Sequence, residues 1–244
     1  MAGAIGGNDA VRIFCVNLDR STERWASIER QASNLGLEIE RFSAVDGSAM
    51  KSLPNFPIAT GAIGCFLSHR KIWKVISDGQ DEYALILEDD ALLSASLPDF
   101  LRNISWIPKD ADLVHLGGSD PRCRIAGLSR PAIGRKIYKC IGCTGTEGYI
   151  ISKRCAGILH CEMISIDREF DQVLFNGGRP DLKTYKMFPA LCTQDRANLP
   201  RIIDRGVRKV KTPAVNKIKR EVIRGVSKFV NLFRLRRRAF INYE

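Results

Sequence analysis

The sequence feature that most constrains the fold is a short apolar run that ends in three consecutive carboxylates. Residues 83–87 read Tyr-Ala-Leu-Ile-Leu, and Glu88, Asp89 and Asp90 follow directly. A run of this length and composition predicts a strand that is buried on both faces of a parallel sheet. Open α/β sheets bind ligands at the carboxyl ends of their strands, and adjacent carboxylates repel one another unless a cation lies among them. The segment therefore indicates either a divalent-metal site for an anionic ligand or a solvated acidic loop.

The residues before this run predict a strand, a helix and a second strand in succession. Residues 11–18 are rich in β-branched and aromatic side chains, and residues 39–45 show a similar pattern that ends at an Asp-Gly turn. Between them, Ser21 or Thr22 can cap a helix whose apolar residues recur at helical spacing until Gly36. Two strands joined by a helix with short connections predict a parallel sheet with a right-handed crossover.

The chain continues with further short elements. A helix is expected over residues 61–79, and the small residues of its first turn would let a backbone or a ligand approach closely. Ser68 and His69 lie within two turns of that start, where an anion is favoured, although a histidine in such a position is more often structural than catalytic. Strands are expected within 112–118, 144–152 and 185–190, helices after Ser152 and over 170–175, and loops over 48–60 and 119–135.

Charge is distributed unevenly along the 244 residues, which are enough for one domain with an appendage. Residues 205–244 contain thirteen lysines and arginines against Glu221 and Glu244, so this segment carries the whole net charge of +11. A neutral body argues against a domain that binds nucleic acid over its surface. We therefore divide the chain into a flexible start (1–10), a catalytic domain (11–204) and a basic tail (205–244).

The basic tail has the pattern of an amphipathic helix, with apolar residues on one face and cations on the other. Such a helix suits the surface of an anionic membrane. Packing against the domain or binding to nucleic acid would explain the same pattern. The apolar face comprises Ile218, Val222, Val226, Phe229, Val230 and Phe233, and the basic face comprises Lys217, Arg220, Arg224 and Lys228.

The cysteines and the first residues bear on the compartment. Residues 1–9 lack the pattern of a signal peptide, and no apolar stretch is long enough for a membrane span. The eight cysteines are scattered, several in apolar segments, which suits reduced thiols in a cytoplasm. Cys140 and Cys143 form a lone Cys-x-x-Cys pair, and zinc or redox chemistry is disfavoured because the sequence provides neither a second pair nor nearby histidines.

Four stretches, taken in order, make the chain resemble glycosyltransferase family 25, the lipooligosaccharide galactosyltransferase-like group. They are VNLDRSTER at 16–24, GAIGCFLSH at 61–69, LEDD at 87–90 and GTEGYIIS at 145–152, with weaker echoes at 44–47, 170–175 and 189–194. The resemblance implies an α/β fold of the GT-A type with a mostly parallel central sheet, which binds a nucleotide sugar through a divalent ion. The resemblance thus supports the metal interpretation of the three carboxylates.

The resemblance maps the Asp-x-Asp motif of such enzymes onto residues 88–90. Asp90 is then expected to contact Mn²⁺ (or Mg²⁺), and Glu88 or Asp89 to reach the ribose or a metal-bound water. Glu88 departs from the usual aspartate by one methylene, which puts its role in doubt. Oxygen ligands are those that a hard divalent ion requires, and a cation would stabilise the diphosphate that leaves the sugar.

Other donor-binding residues are expected where the resemblance places the nucleotide, at the end of the first strand. Asn17, Arg20 and Arg24 lie there, and the arginines could pair with phosphates; the alternative is a solvated helix start. Ser68 and His69 belong to the same expected donor site.

The family resemblance also implies transfer with inversion, which requires one base for the acceptor hydroxyl. Asp171 is the first candidate because it falls in the late acidic motif, and Glu147 and Asp167 are rivals. Asp171 could instead only cap its helix, and Glu147 could only face solvent.

The resulting hypothesis is a metal-dependent, inverting glycosyltransferase that uses a UDP-sugar donor, with UDP-galactose the expected one. Its acceptor would be a lipooligosaccharide or another cell-surface glycan, reached from the cytoplasmic face of the inner membrane with the tail on anionic lipid. The alternatives are a nucleic-acid-binding protein that uses the tail and an inactive scaffold that binds a sugar nucleotide without turnover.

Overall fold

The computed structural model describes residues 11–50, 58–120, 122–177, 179–199 and 237–240. The described residues contain both helices and strands, as the sequence predicts for an α/β protein. The strands are β1 (Arg12–Asn17), β2 (Glu40–Ser43), β3 (Tyr83–Glu88), β4 (Ala91–Leu93), β5 (Leu113–His115), β6 (Arg122–Ala132), β7 (Arg135–Gly142), β8 (Gly148–Ser152), β9 (Thr184–Phe188), β10 (Cys192–Gln194) and β11 (Arg237–Phe240). The helices are α1 (Thr22–Asn34), α2 (Thr60–Asp78), α3 (Leu97–Arg102), α4 (Lys153–Glu162) and α5 (Phe170–Phe175), with a short 3₁₀ helix at Gly47–Ala49.

The chain up to the end of β3 folds largely as the sequence predicts. Strands β1 and β2 are parallel and are joined through α1, and β3 lies parallel to β1 on its other side. Helix α1 ends before Gly36, which adopts the left-handed conformation (φ +66°) that favours glycine at a helix end. The five apolar residues of β3 are all buried, which confirms the prediction of a strand covered on both faces.

The central sheet is mixed, so the prediction of a mostly parallel sheet is wrong. Its nine strands have the order β11-β6-β7-β9-β5-β8-β3-β1-β2. Strand β8 is antiparallel to both neighbours, β3 and β5, and the block β7-β6-β11 is antiparallel throughout. An α/β pattern in sequence does not distinguish a crossover from an inserted reversed strand, because a strand buried on both faces has the same apolar composition in either direction.

Residues 119–135 form most of a long hairpin rather than the predicted loop. Strands β6 and β7 are connected by Ile133 and Gly134, which both have positive φ (45° and 74°). Positive φ at both central residues gives the hairpin turn whose twist matches that of the strands. Pro131 and the charged residues suggested a loop, but they are tolerated because both strands are long and irregular in register.

Hydrophobic cores cover both faces of the sheet. One contains α2, α4 and α5 with residues such as Phe66, Trp73 and Leu159. The other contains α1 and α3 with residues such as Ile28 and Phe100. None of the helices in the described part of the chain has the length and hydropathy required to cross a membrane.

The predicted tail helix lies almost entirely outside the described residues, as does the predicted flexible start. The four described tail residues, Arg237–Phe240, form a strand antiparallel to β6, so a helix is wrong for those four. The amphipathic pattern over 217–233 and its membrane role remain predictions.

Strand direction brings several loops to one edge of the sheet. The carboxyl ends of β1, β3 and β5 point to this edge, and the antiparallel β8 begins there, with Val16 beside Glu88 and Leu87 beside Gly148. The residues after three strands and the residues before β8 are therefore neighbours. This edge carries the candidate site.

Candidate active site

A cavity of about 740 Å³ opens at this edge of the sheet. Its wall includes the three carboxylates, the loop before β8, the end of β1 and the start of α5. The predicted residues that line it are Arg20, Arg24, Ser68, His69, Glu88, Asp89, Asp90 and Asp171. Segments far apart in sequence thus meet around one space, as expected for a ligand site of an α/β sheet.

Asp89 is fully engaged within the protein. Its Oδ2 accepts a hydrogen bond from Asn17 Nδ2 at 2.8 Å, and its Oδ1 accepts one from Arg24 Nη1 at 2.7 Å. All three residues are buried. A buried ion pair with further hydrogen bonds is held firmly, since breaking it would leave an uncompensated charge. Asn17, Arg24 and Asp89, each expected to bind the donor, therefore tie β1, α1 and β3 together.

Three other carboxyl groups, those of Glu88, Asp90 and Glu147, interact electrostatically at the same end of the sheet; we refer to them as the carboxylate group. Burial and the neighbouring Asp90 raise the pKa of Glu88 to about 8. Burial also raises the pKa of Asp90, although Arg24, whose Nη1 is 3.5 Å from Asp90 Oδ2, acts against it. Among the described residues, Asp90 Oδ1 and Glu147 Oε2 are buried without a hydrogen-bond partner. A bound cation would satisfy these two oxygens, which Arg24 does not reach by a hydrogen bond.

The carboxylate group fits a hard divalent cation. Buried polar atoms without partners cost free energy, and a cation among them would satisfy the oxygens and favour their charged forms. Carboxylate oxygens are the ligands that Mg²⁺ and Mn²⁺ accept. Asp90 and Glu88 are the ligands that the residues present support, with Glu147 beside them.

Two glycines make room for Glu147. A Cβ atom at Gly117 would lie 2.2 Å from Glu147 Oε1, and one at Gly145 would lie 2.3 Å from Oε2. Oε1 accepts a hydrogen bond from the Ser119 amide at 2.9 Å. The carboxylate is fully buried, so the possibility that Glu147 faces solvent is wrong.

Asp171 lies at the cavity wall near the start of α5. Its Oδ2 accepts a hydrogen bond from the Gly145 amide at 2.9 Å, which links α5 to the loop before β8. Asp171 therefore holds this loop in place; the alternative that it caps its helix is wrong, because Glu169 is the N-cap of α5 and no side chain caps that end by a hydrogen bond. Its rival Asp167 is exposed and forms an ion pair with Arg168, which lowers the pKa of Asp167.

The Ser68 hydroxyl forms its hydrogen bonds with the protein backbone. Its hydroxyl donates to Gly64 O at 2.7 Å and accepts from Val45 N at 2.8 Å. A Cβ at Gly64 would lie 2.6 Å from Val45 O. The small residues of α2 therefore admit the backbone at 45–47, one of the two possibilities that the sequence left open.

His69 is buried in an aromatic cluster below the cavity. Its Nδ1 is 2.8 Å from Tyr149 Oη, and the Trp73 indole donates to the same oxygen at 3.1 Å. Burial lowers the pKa of His69 to about 3, so the ring is neutral. The Nε2 atom of His69 has no hydrogen-bond partner among the described residues. One ring nitrogen of His69, the sulfur of Cys65 and a carboxylate oxygen of Glu88 lie within 4.8 Å of one another.

Arg20 is the most accessible of the predicted cations at the cavity. It forms an ion pair with Asp46, while its side chain stays about half exposed. Arg196, which the sequence did not single out, lines the same cavity. A cation at the rim can exchange a carboxylate partner for a phosphate at modest cost.

Sequence reasoning assigned no role to several polar residues in loops at the sheet edge, although Thr146 and Gln194 lie in stretches that carry the family resemblance. Thr146 donates to Glu88, and Thr144 donates to Asp120 at 2.5 Å. Gln194 and Ser119 face the cavity and are joined by a 2.8 Å bond from Gln194 N to Ser119 Oγ. The available signal was positional, because these residues follow or precede short strands whose ends meet at one edge.

Comparisons with known proteins agree with the geometry. Residues 10–174 match the model of the family described as Glycosyltransferase family 25 (LPS biosynthesis protein). A Glycosyltransferase 25 family member of Drosophila melanogaster is 34% identical over 166 residues, which cover 58% of this chain and 26% of that protein. Procollagen galactosyltransferase 2 of Homo sapiens is 27% identical over 190 residues, covering 67% of this chain and 30% of that protein.

A bacterial relative matches over most of its own length. Lipooligosaccharide biosynthesis protein lic2B of Haemophilus influenzae is 26% identical over 212 residues, which cover 78% of each chain. The chain spans only about a quarter to a third of the length of the animal relatives named above. Residues 10–174, which match the family model, contain Glu88, Asp90, Glu147 and Asp171.

Proposed function

The chain belongs to glycosyltransferase family 25, and on that premise we propose that it transfers a sugar from a nucleotide-sugar donor to a cell-surface glycan. Galactose from UDP-galactose is the proposed donor, because relatives are named as procollagen galactosyltransferases. A lipooligosaccharide is the proposed acceptor, because lic2B is named for lipooligosaccharide biosynthesis. The proposal includes a GT-A type of fold and a dependence on Mn²⁺ or Mg²⁺.

The observation that carries this proposal is the group of buried carboxylates at the end of β3. Glu88, Asp90 and Glu147 lie next to a cavity of a size suited to a nucleotide sugar, and two of their oxygens have no partner in the described part of the chain. In the proposed enzyme Asp90 and Glu88 hold the cation. When bound, that cation stabilises the negative charge of the departing diphosphate.

The division of labour among the remaining residues follows from their contacts. Asp89 with Arg24 and Asn17 keeps the carboxylate end of β3 rigid. Arg20 and Arg196, at the cavity wall, are the cations proposed to contact the phosphates. Rigid support behind the metal ligands matters because transfer depends on orientation to within a fraction of an ångström.

Asp171 is the proposed base for an inverting transfer. It lines the cavity, whereas Glu147 is fully buried beside the carboxylate group. In a single displacement, Asp171 takes the proton of the acceptor hydroxyl while that oxygen forms the new glycosidic bond and the bond to the diphosphate breaks. The hydrogen bond from the Gly145 amide orients its carboxylate for this step.

Attachment to the cytoplasmic face of the inner membrane is the proposed location. Its support is the basic amphipathic pattern of the tail. An acceptor that is anchored in a membrane would then be presented to an enzyme on the same surface.

A panel of donors tests the function directly. The purified full chain is incubated with Mn²⁺, a truncated lipooligosaccharide and each of several radiolabelled UDP-sugars. We expect transfer from UDP-galactose above the other donors, and its loss when the metal is chelated. Binding of UDP without transfer or donor hydrolysis would favour the inactive scaffold, and absence of both binding and turnover would contradict the proposal.

A further inference from the structure

Three cysteines outside the carboxylate group converge in the core. Cys123 lies on β6, Cys140 on β7 and Cys143 just after β7, and all three are buried. The sulfur atoms of Cys123 and Cys140 are 3.8 Å apart, and those of Cys140 and Cys143 are 3.4 Å apart. One sulfur from each residue lies within 4.8 Å of the others. We refer to these residues as the cysteine triad.

The pairing of β6 with β7 explains why these residues meet. Ile125 pairs with Cys140 and Arg124 with Gly142, and the register shifts between the two pairs. Cys123 is the residue before Arg124 and Cys143 is the residue after Gly142. Because the strands are antiparallel, these two cysteines lie opposite each other. The shift brings Cys140 into the same group. A lone Cys-x-x-Cys in sequence thereby gains a third thiol that lies 17 residues upstream.

The distances are close to those between ligands of one metal ion: Cys123 and Cys140 are at such a separation, and Cys140 and Cys143 are a few tenths of an ångström nearer. With zinc–sulfur bonds of about 2.3 Å, the sulfurs of a tetrahedral site lie about 3.8 Å apart, and those of a trigonal site about 4.0 Å apart. The sulfur triangle thus has room for a metal ion bound at one face of the triad. Thiolates are the ligands that copper(I) and zinc(II) prefer.

A buried lysine lies on the strand next to the triad. Hydrogen bonds with Cys123 and Cys143 lower the pKa of Cys140, whereas the hydrogen bond with Cys140 raises the pKa of Cys123 to about 12 and burial raises that of Cys143. Lys186 is fully buried on the adjacent strand β9. Its charge acts to lower the pKa of each of the three thiols. Its ammonium group is held by His115 Nδ1 at 2.7 Å and by Gly117 O. A buried cation beside three sulfurs offsets the negative charge that a metal–thiolate centre carries.

We propose that Cys123, Cys140 and Cys143 form a second metal site, which binds one thiophilic ion, zinc(II) or copper(I), through three thiolates. The ion displaces the thiol protons to solvent, with no change in oxidation state. The site ties the β6–β7 hairpin to the loop that enters the candidate active site, because Cys143 is followed directly by Thr144 and Gly145. Cys143 also donates its amide to Phe175 O at 3.0 Å, at the end of α5. This inference does not depend on the proposed sugar transfer.

Metal content tests the site. The reduced full chain is loaded separately with Zn²⁺ and with Cu⁺, desalted and analysed for bound metal. We expect about one ion of at least one metal per chain to be retained. The single variants Cys123→Ser, Cys140→Ser and Cys143→Ser should lose it. Cys155→Ser, a buried thiol outside the triad, and Cys161→Ser, an exposed one, should retain it, as should Asp90→Asn, which removes an oxygen ligand of the other site.

A second measurement uses only the unaltered chain and so does not depend on the folding of variants. Alkylation under native conditions followed by mass spectrometry counts protected thiols with and without the metal. The bound ion should protect Cys123, Cys140 and Cys143 against slow alkylation, and a strong chelator should remove that protection. Retention of neither metal, or retention that the three serine variants leave unchanged, would overturn the proposal.

Discussion

At the scale of single residues, Asp89 and Asp90 are adjacent but have different roles. Asp89 has both oxygens occupied by Asn17 and Arg24, whereas Asp90 has a buried oxygen without a partner among the described residues. The direction of each side chain at the end of β3 decides this difference. One carboxylate therefore supports the fold, and the other is available to a cation.

Substituting each aspartate with asparagine should separate the two roles. Asp89→Asn should lower the free energy of unfolding by about 3 kcal/mol, because Arg24 loses the nearer of its two carboxylate partners in a buried position. Asp90→Asn should leave it within about 1 kcal/mol of the original value, because Arg24 keeps Asp89. Asp90→Asn should nevertheless lower metal-dependent transfer at least about 100-fold, since several kcal/mol of charge stabilisation are lost. Urea unfolding and initial rates measure these effects; equal loss of stability in both variants would contradict the assignment.

A similar comparison tests the base. Asp171→Asn should lower turnover at least about 100-fold while KM for the donor changes little, because proton removal from the acceptor is lost. Glu147→Gln should instead weaken activation by Mn²⁺, because its carboxylate lies with Glu88 and Asp90. Metal titrations and rates over a range of donor concentrations distinguish the two variants. Near-normal turnover in Asp171→Asn would remove this residue from the role.

Gly117 offers a test of how tightly Glu147 is confined. Gly117→Ala places a methyl group where Glu147 Oε1 now lies, so the carboxylate must move. We expect transfer to fall about 10-fold or more, since small displacements at a reacting centre are costly. Gly157→Ala is the matched control: its new methyl would be 3.7 Å from Ser77 Cβ, and it should stabilise α4 by up to about 1 kcal/mol. Unchanged activity in Gly117→Ala would show that Glu147 has freedom to move.

At the scale of elements, the β6–β7 hairpin shows how a local conformation decides topology. Ile133 has a φ of 45°, which a β-branched residue adopts only at a cost. The long pairing of the two strands compensates for that cost. Two residues of the cysteine triad lie on the strands of the hairpin and the third follows β7 directly. The register of β6 against β7 therefore determines whether the three sulfurs meet.

Relieving the strain at the turn should stabilise the protein. Ile133→Asn should raise the free energy of unfolding by about 1 kcal/mol, because asparagine tolerates the left-handed region. Ile133→Val, which keeps the β-branch, should leave stability nearly unchanged. Chemical unfolding monitored by circular dichroism compares the three proteins. A loss of stability in Ile133→Asn would mean that apolar contacts of Ile133 outweigh the backbone strain.

At the scale of the whole molecule, the charge of the tail and the neutrality of the body predict a membrane role for residues 205–236. Deleting the tail would also remove β11, which pairs with β6, so charge substitution is the sharper test. Replacing Lys217, Arg220, Arg224 and Lys228 with glutamine should weaken binding to anionic vesicles by about 1 kcal/mol per cation.

Vesicle sedimentation at low salt measures this effect, with vesicles of neutral lipid as the control. Sugar transfer to a soluble acceptor should stay unchanged, because the carboxylate group is untouched. Equal binding of the substituted and original chains to anionic vesicles would exclude the membrane role of this face.

Much of the candidate site is predictable because strand ends carry it. The apolar residues before Glu88 require a buried strand, and acids at such an end indicate a cation. The roles within the site are less predictable. Whether Asp89 or Asp90 is available depends on Asn17 and Arg24, which lie more than 60 residues away in sequence. The burial of Glu147 likewise depends on the loop that contains Gly117.

By itself, the sequence determined the elements from β1 to β3, the acidic end of β3 and the ordered motifs that identify the family. These follow from local periodicity and from residues that are adjacent in the chain. Only the tertiary structure decided that the sheet is mixed, that Asp89 is a structural partner of Arg24, and that Cys123 joins Cys140 and Cys143. Each of these depends on strand direction and register, because a reversal or a shift of one residue changes which side chains meet.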